Sequence, residues 1–504
     1  MNGVFVVAAT VVGAVSGLRW LRVAQREHYL PWSVAVFAKR WWFIDATNLS
    51  IIALAATSAA LALIGVLPLV TGSVTLVCVL IGPVGLSIKG TSSPLMWTDR
   101  LRRVALASGS IWALMVAIGG ITGSIGLLAY EAVALPLVID LALAIMWPFE
   151  MKAQEKWVEQ ATERMSLVSP TVIAITGSYG KTTTKEYARL LLAQQAPTVA
   201  TPASFNNKMG LARAINEHLS DGTKFFIAEM GTYGTGEIAD MCAWVAPHVA
   251  VLTAIGPVHL ERFGSIERVV EAKSEIFGPA DAVVLNVDDD RLATLAETIV
   301  DKRVVRVSAG GVVGADVRLI PYGDRATVLV HGSEVGKVPV LPLLSNLACA
   351  IGVLVALDLP LERIAEALQG AGTPDHRQTV FTSDAGVVIV DDTYNSNPVG
   401  AQAALDRLAG VGSGRRVVVT PGMVELGDLQ VEENTRFAAQ AGAVADQLIV
   451  VAKTNRAALL EGAANVSLPV IVVASREEAV AWVRENLGPG DAVLYENDLP
   501  DHHP

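Results

Sequence analysis

The sequence predicts an α-helical membrane domain followed by an α/β region, which comprises a doubly wound P-loop central domain and a Rossmann-like C-terminal domain. Three observations support this prediction. Nearly uncharged stretches are concentrated in the first 150 residues of the 504-residue chain. A glycine-rich segment near residue 180 lies between a strand-like run and a helical pattern. From there on, apolar runs alternate with helical segments, as expected for parallel sheets covered on both faces.

Composition limits the classes of function. With 52% hydrophobic residues, the chain is more apolar than most soluble enzymes, so part of it is expected in lipid. The net charge of -11 argues against nucleic acid as a partner, because binding to a phosphate backbone needs a basic surface. Cys78, Cys242 and Cys349 are too scattered for a metal cluster or a disulfide framework, which predicts buried thiols in a reducing compartment.

Five apolar segments in the first 150 residues approach the length that a bilayer requires. They run over residues 1–18, 51–70, 74–88, 104–128 and 132–147. Basic residues concentrate in 19–40 and 89–103, and the other two links carry no Lys or Arg. The positive-inside rule then predicts a multi-pass protein of the cytoplasmic membrane, with its N-terminus outside and everything after Lys152 in the cytoplasm.

Asp140 lies in the middle of the fifth apolar segment. A carboxylate there is costly, so it indicates either a functional site or an Asp that is protonated or paired within a tight helix bundle. The sequence leaves both interpretations open.

The rest of the chain divides into two α/β parts. The pattern predicts a transmembrane domain over residues 1–150, a central domain over 165–375 and a C-terminal domain over 376–504. A small β insertion is expected between about 304 and 339, where short Val-rich runs alternate with Gly turns. Central strands are predicted at 171–175, 225–228, 249–252 and 282–285, and C-terminal strands at 387–390, 416–420, 447–451, 470–473 and 492–495.

The sharpest local signal is the segment TGSYGKTTT at residues 176–184. Its glycines would let backbone N–H groups approach phosphates, Lys181 would neutralise the β and γ phosphates, and the Thr182 hydroxyl would hold Mg²⁺. The alternative, an ordinary Gly-rich turn, is disfavoured because a strand and a helix flank the segment. The predicted nucleotide-binding residues are Gly177, Ser178, Tyr179, Gly180, Lys181, Thr182 and Thr183.

The spacing of this loop and the motifs after it resemble the Mur ligases, the ATP-dependent enzymes that add amino acids or dipeptides to peptidoglycan precursors. Gly177 and Gly180 are only three residues apart, as in the nucleotide loop of that family. The resemblance covers about residues 172–493, and GEI with YNSNP is closest to the branch that adds D-alanyl-D-alanine. The matching segments are TPASFNNKMG at 201–210, EMG at 229–231, GEI at 236–238, GPVHLERFGS at 256–265, AKSEI at 272–276, LNVDD at 285–289, DDTYNSNP at 391–398 and GMVELG at 422–427.

The resemblance implies a metal site. Glu229 and His259 would bind a second Mg²⁺ in addition to the ion on Thr182. Lys273 would react with CO₂ to give a carbamate, which turns a cation into an anion that faces the metal. The alternative is that Lys273 has no functional role and is a surface lysine in a helix. The implied metal-site residues are therefore Thr182, Glu229, His259 and Lys273.

The resemblance also implies the remaining roles and the reaction. Asn286 and Asn346 would lie near the adenine, Asp392 near the ribose, and Arg377 would approach the γ-phosphate when the domains close. ATP would phosphorylate a carboxylate, and an amine would then attack the acyl phosphate to form an amide. The implied catalytic residues are Lys181, Lys273, His259 and Arg377, and the cofactors are ATP and two Mg²⁺ ions.

The chain departs from that branch in ways that leave three functions open. Membrane helices replace the domain that holds the UDP-sugar precursor, and the usual terminal Lys-Gly-Ser-Arg is YEND at 495–498. The first function is a ligase for a cell-wall precursor, with a UDP-linked or lipid-linked carboxylate, an amine donor and membrane lipid as partners. The second is a membrane ligase for another amide, such as γ-linked polyglutamate. The third is a P-loop transport ATPase.

Overall fold

The computed structural model describes residues 2–89, 94–202, 205–341, 343–368, 379–393 and 396–499. The chain forms two compact units that divide between Ala153 and Gln154. The first unit is helical, and the second contains all fifteen strands of the described ranges. The expected limits of the central and C-terminal domains at 165–375 and 376–504 stay predictions.

Within the described residues, seven helices begin in the first unit. Polar residues start several of them: Asp45, Thr98 and Ser124 each accept a hydrogen bond from a backbone N–H in the first turn of the helix that follows. Apolar and aromatic side chains, among them Trp20 and Trp41, pack between the helices. The helices are α1 (Asn2–Arg26), α2 (Ser33–Trp42), α3 (Ala46–Leu63), α4 (Pro68–Ile81), α5 (Asp99–Thr122), α6 (Ile125–Val133) and α7 (Leu135–Val168).

The structure supports only part of the expected set of five membrane-spanning segments. Among the described residues, α1, α3 and α5 are long and apolar enough to cross a membrane, and the bent pair α6 and α7 could form a fourth span. The third predicted segment, 74–88, is not one continuous helix, because α4 ends before Gly82 and Pro83; with 14 residues it is shorter than the roughly 20 residues that span a bilayer. The fifth, 132–147, fails as one straight helix because the chain bends by 67° between α6 and α7. Pro136 contributes to this break, since it has no N–H with which to continue the first helix.

The structure accounts for Asp140. Its side chain is fully buried and accepts hydrogen bonds from the backbone N–H groups of Val34 at 3.2 Å and Ala35 at 2.7 Å. These are first-turn groups of α2, whose own N-cap residue Trp32 makes no side-chain cap hydrogen bond. Asp140 therefore caps a helix from another part of the chain, which corresponds to the paired interpretation.

The first sheet of the second unit has nine strands in the order β2-β3-β1-β4-β5-β6-β7-β8-β9. The strands from β2 to β7 run parallel, and β8 and β9 continue the sheet antiparallel. The expected β insertion is thus the edge of this sheet. The strands are β1 (Thr171–Thr176), β2 (Thr198–Ala200), β3 (Phe225–Glu229), β4 (Val249–Leu252), β5 (Ala282–Asn286), β6 (Arg303–Ser308), β7 (Val317–Tyr322), β8 (Arg325–Val330) and β9 (Ser333–Pro339).

Helices cover both faces of this sheet. In β1, Ile173 and Ile175 point into one apolar core, and Val172 and Ala174 point into the other, as the two-residue period of a strand requires. The helices are α8 (Lys181–Ala193), α9 (Lys208–His218), α10 (Glu237–Val245), α11 (Leu260–Phe263), α12 (Ile266–Ser274), α13 (Asp290–Thr298), α14 (Leu344–Ala356) and α15 (Ile364–Ala367).

A second sheet has six strands in the order β10-β11-β15-β12-β13-β14, with β10 antiparallel at one edge and the other five parallel. Its strands are β10 (Thr379–Thr382), β11 (Val388–Asp392), β12 (Arg416–Thr420), β13 (Gln447–Val451), β14 (Val470–Val473) and β15 (Ala492–Glu496). Its helices are α16 (Pro398–Ala409), α17 (Gln430–Ala441), α18 (Arg456–Asn465) and α19 (Arg476–Asn486).

The order of the first sheet brings the candidate site together. Strands β3, β1, β4 and β5 are parallel neighbours, so their carboxyl ends share one edge. The residues at or just after those ends are Glu229, Gly177, Thr253 and Asn286. Ligands of open parallel sheets bind at this edge, where the strand order reverses.

Candidate active site

The glycine-rich loop joins β1 to α8, and two of its glycines have no room for a side chain. Gly180 has a φ of +78°, and a Cβ atom there would lie 2.2 Å from Oδ1 of Asn346. A Cβ atom on Gly177 would lie 2.0 Å from Oγ1 of Thr253. The loop backbone therefore approaches its neighbours as closely as a phosphate cradle requires.

Polar contacts fix the loop against the end of β4. Ser178 donates from its N–H to the carbonyl of Ala254 at 2.8 Å, and its hydroxyl accepts from the N–H of Gly256 at 2.9 Å. The Thr253 hydroxyl donates to the carbonyl of Tyr179. The Tyr179 ring packs on Gly256, where a Cβ atom would lie 1.9 Å from its hydroxyl oxygen. Tyr179 thus braces the loop, and burial raises the pKa of its phenol so that it stays neutral.

Lys181 and the threonines after it line the start of α8. Lys181 Nζ donates to the carbonyl of Gly177 at 2.7 Å, which places the ammonium group over the loop. Thr182 is half-buried, whereas the Thr183 hydroxyl is buried and has no hydrogen-bond partner within the described ranges. Gly180 begins the helix without a side-chain cap, so first-turn N–H groups are left for a ligand. These features fit a bound phosphate group.

The carboxylate of Glu229 is paired inside the protein. Lys185 Nζ lies 2.9 Å from Oε2 of Glu229, and both residues are buried. The Asn206 amide donates to the other oxygen, Oε1, at 3.2 Å. Burial alone would raise the pKa of Glu229, but the ammonium groups of Lys185 and Lys181 outweigh it and hold the pKa below its usual value.

Sequence analysis did not predict the role of Lys185. A signal was present: Thr184, Lys185, Ala188 and Leu191 lie on the buried face of α8, where a lysine needs an anionic partner. The sequence does not predict which residue is that partner, because Glu229 is 44 residues away along the chain.

Lys273 lies near the end of α12 and is only 3% exposed. It makes no ion pair with a carboxylate in the part of the chain that the structure describes. Burial and the positive charge of Lys181 both lower the pKa of Lys273 well below its usual value. The alternative of an exposed surface lysine is therefore wrong, and burial favours the uncharged form of this amine.

His259 has a different set of neighbours. It adopts a left-handed backbone conformation with φ +58° at the start of α11. Its Nδ1 atom contacts the carboxylate of Glu425, and the ring of Tyr233 meets the imidazole edge-on with 4.8 Å between the ring centroids. Glu425 follows β12 and also has a positive φ of 64°. The structure thus joins His259 to a segment of the six-stranded sheet.

The described residues contain no group of three or more His, Cys, Asp or Glu side chains that could hold a metal ion. A metal at Glu229 would therefore need further ligands of other kinds, such as the hydroxyl of Thr182, a carbamate on Lys273 or nucleotide oxygens.

The two predicted adenine residues lie close to the loop. Asn286, at the end of β5, donates from Nδ2 to the carbonyl of Thr253 at 3.2 Å and so helps to fix the segment that supports the loop. Asn346 is buried in the first turn of α14 beside Gly180. In this structure both amides support the loop.

Asp392 lies on the other sheet. It ends β11 next to Glu496 of β15 and is buried. Burial raises the pKa of Glu496 to about 8, and the nearby Asp392 adds to this effect. The hydroxyls of Thr420 and Ser396 donate to the Glu496 carboxyl group. Arg377 lies outside the described residues.

The loop, the buried lysines and the strand order define a class of protein: an α/β enzyme that uses a nucleoside triphosphate. Two protein-family models match the chain. "Mur ligase middle domain" covers residues 175–351, and "Mur ligase, glutamate ligase domain" covers residues 376–495.

Known proteins agree with these matches. The UDP-N-acetylmuramoyl-tripeptide–D-alanyl-D-alanine ligase of Mycobacterium bovis is 33% identical over 360 residues, which are 64% of this chain and 69% of that protein. The enzyme of the same name from Bacillus subtilis is 29% identical over 339 residues, 64% of this chain and 72% of that protein. The MurF ligase of Thermotoga maritima, solved with ADP, is 26% identical with a TM-score of 0.60, over 68% of this chain and 80% of that one.

The chain belongs to the Mur ligase family, and it is an ATP-dependent ligase that forms amide bonds and releases ADP. This finding confirms the resemblance seen in the motifs and sets aside the transport ATPase. Both family models begin after residue 174, so they cover none of the first unit.

Proposed function

We propose that this chain is a membrane-anchored ligase that activates a carboxylate of a peptidoglycan precursor as an acyl phosphate and joins it to an amine, either an amino acid or D-Ala-D-Ala. The observation that carries the proposal is the loop of Gly177 to Thr183, held against β4 with Lys181 over it. Relatives at up to 33% identity carry a name that specifies such a reaction.

The loop residues would bind the phosphates of ATP. The first-turn N–H groups of α8, which no side chain caps at Gly180, and the ammonium group of Lys181 favour negative charge at this position. Asn286 and Asn346 would lie near the adenine and Asp392 near the ribose. The MurF ligase of Thermotoga maritima was solved in complex with ADP, which supports a bound nucleotide in this chain.

Two Mg²⁺ ions would be held by Thr182, Glu229, His259 and a carbamate on Lys273. Hydroxyl, carboxylate and carbamate oxygens suit Mg²⁺, and the orphaned hydroxyl of Thr183 is consistent with a polar ligand nearby. Bound Mg²⁺ would supply Lewis-acid stabilisation of negative charge on the transferring phosphoryl group. The lowered pKa of the buried Lys273 amine supports carbamate formation, because only the unprotonated amine attacks CO₂.

The side chains of this site would act mainly by position and charge. Lys181 would offset charge on the phosphoryl group, and Arg377 would add a second cation from the C-terminal domain. The contact between His259 and Glu425 joins a segment that follows β4 of the nine-stranded sheet to a segment that follows β12 of the six-stranded sheet. This contact supports a closed arrangement that excludes water from a reactive acyl phosphate.

The first unit would anchor the enzyme with its ligase domains in the cytoplasm. For both basic loops, 19–40 and 89–103, to lie on the cytoplasmic side, the chain must cross between α3 and α5. That crossing falls on α4, whose 14 residues extend about 21 Å, short of a hydrocarbon core of about 30 Å. The topology therefore requires local thinning of the bilayer or flanking residues that complete the span.

A second candidate is a membrane ligase for another amide, such as γ-linked polyglutamate. The observation that favours it is the first unit itself: its described residues form helices, and neither family model matches any of residues 1–153. A different or lipid-linked acceptor would suit a catalytic domain tethered at a bilayer.

The test is amine-dependent release of phosphate from ATP by the detergent-purified full chain. The panel contains UDP-linked and lipid-linked muramyl peptides with D-Ala-D-Ala, single amino acids, or polyglutamate primers. Lys181→Ala is the blank, and Lys337→Ala, on the exposed edge strand β9, is the matched control. Release that needs a muramyl peptide and an amine supports the first candidate. Release with glutamate primers alone selects the second, and hydrolysis without any acceptor contradicts both.

A further inference from the structure

The ion pair between Lys185 and Glu229 lies at the base of the candidate site. Lys185 is fully buried, and Glu229 is 2% exposed. The 2.9 Å distance between Nζ and Oε2 and the 3.2 Å bond from Asn206 to Oε1 engage both carboxylate oxygens. The carboxylate is therefore held in one orientation and neutralised by a cation that belongs to the fold.

This pairing bears on how a divalent cation can reach Glu229. Lys181 is close enough to lower the pKa of Glu229 and also that of Lys273, so these groups share one electrostatic environment with Lys185. Without a nucleotide, a divalent cation would meet the carboxylate of Glu229, which Lys185 already neutralises, and the positive charge of Lys181 nearby. Repulsion between like charges is strong where water is excluded.

We propose that Lys185 makes cation binding at Glu229 conditional on the nucleotide, so that the metal enters with the triphosphate and not before it. The phosphates supply the negative charge that Glu229 cannot supply while it is paired. Each carboxylate oxygen keeps a lone pair, so Lys185 and Asn206 can stay in place as positioning residues. The inference rests on the proposed function only in taking ATP as the nucleotide.

Two lysines on one helix would then have separate tasks. Lys181 faces the loop carbonyls, and Lys185, one turn further along α8, faces Glu229. Lys181 would contact the nucleotide directly. Lys185 would act through Glu229, and its effect should appear in metal binding in the absence of any substrate.

The first measurement is Mn²⁺ titration of the detergent-purified full chain by electron paramagnetic resonance, with and without a non-hydrolysable ATP analogue, and with the analogue alone as the blank. We expect the apparent Mn²⁺ affinity of the wild-type protein to rise at least tenfold with the analogue. Equal affinity with and without the analogue would overturn the proposal.

The second measurement uses variants of the pair. Lys185→Met should bind Mn²⁺ without nucleotide at least tenfold more tightly than the wild type, because Glu229 has lost its counter-ion. Lys185→Arg keeps the cation and should preserve the dependence on nucleotide. The double variant Lys185→Met/Glu229→Gln has no unpaired charge and should bind no Mn²⁺ on its own. A folded Lys185→Met that behaves like the wild type contradicts the proposal.

These measurements separate this inference from the proposed function. Mn²⁺ binding needs neither an acceptor nor an amine, so a failed ligation assay with conditional Mn²⁺ binding rejects only the proposed substrates. Active ligation with nucleotide-independent Mn²⁺ binding rejects only the role of Lys185. If Lys185→Met does not fold, the wild-type titration decides the question.

Discussion

Replacing Gly180 by alanine tests the structure of the phosphate loop. The residue has a φ of +78°, and a Cβ atom would lie 2.2 Å from Oδ1 of Asn346. The left-handed backbone costs a residue with Cβ roughly 1–2 kcal/mol. Overpacking against a buried side chain adds about 1–3 kcal/mol.

Gly222 provides a matched control. Its φ of +85° carries the same backbone cost, but a Cβ atom there would meet nothing within 4 Å. Gly222→Ala should therefore lose roughly 1–2 kcal/mol of stability and keep its nucleotide affinity. Gly180→Ala should show a second effect, because the loop must move away from Asn346 and lose its phosphate-binding geometry.

The assay is nucleotide binding by calorimetry, together with thermal unfolding. The steric overlap costs about 1–3 kcal/mol, and the loop relieves it only by leaving its binding geometry. The affinity for ATP should therefore fall about 5-fold to 150-fold in Gly180→Ala. Adding Asn346→Ala removes the atom that clashes, so the double variant should bind ATP more tightly than the sum of the single effects predicts. Equal ATP affinity in Gly180→Ala and Gly222→Ala would refute the reasoning.

Three further predictions concern buried ionisable groups. For Lys273, ¹³C-labelled bicarbonate should give a carbamate signal in nuclear magnetic resonance spectra of the wild type, because burial and Lys181 lower the pKa of the amine. The signal should be absent in Lys273→Arg, because the arginine side chain stays protonated. For Glu496, the folded pKa of about 8 lies above the unfolded value, so stability should fall as pH rises from about 4.5 to 8. Glu496→Gln should flatten this dependence in unfolding measurements, and an unchanged slope would count against the burial argument. Asp140→Ala should lower the free energy of unfolding by about 0.5–2 kcal/mol, because α2 loses its cap. Asp140→Asn is the conservative control in thermal unfolding, and an unchanged stability of Asp140→Ala would contradict the capping role.

The local part of the site was predictable from sequence. A strand, a loop with Gly177 and Gly180 and a helix form one continuous segment, so the motif and its geometry coincide. Glu229 and Asn286 were named only through the family motifs; in the fold each ends a parallel strand, and such ends meet at one edge of the sheet. Family motifs marked Asn346, which no local pattern would have placed beside Gly180.

Long-range pairing was not predictable. Lys185 and Glu229, and likewise His259 and Glu425, are joined by the fold across 44 and 166 residues of sequence. The ends of the apolar helices were also not predictable, because hydropathy measures composition and not helix continuity. In α4 and at the junction of α6 and α7, proline and glycine end helices that apolar composition would extend.

The three lysines of the site, of which Lys185 and Lys273 are buried and Lys181 is half-buried, differ in their partners, and this difference supports separate roles for them. Lys185 has a carboxylate and stays a structural cation. Lys181 has loop carbonyls, which a phosphate can replace as partners of its ammonium group. Lys273 has no carboxylate within the described ranges, and the charge of Lys181 disfavours a second ammonium group nearby. A carbamate at that position would be attracted to the positive charge that disfavours the ammonium form, which is the physical argument for the reaction of Lys273 with CO₂ that we propose.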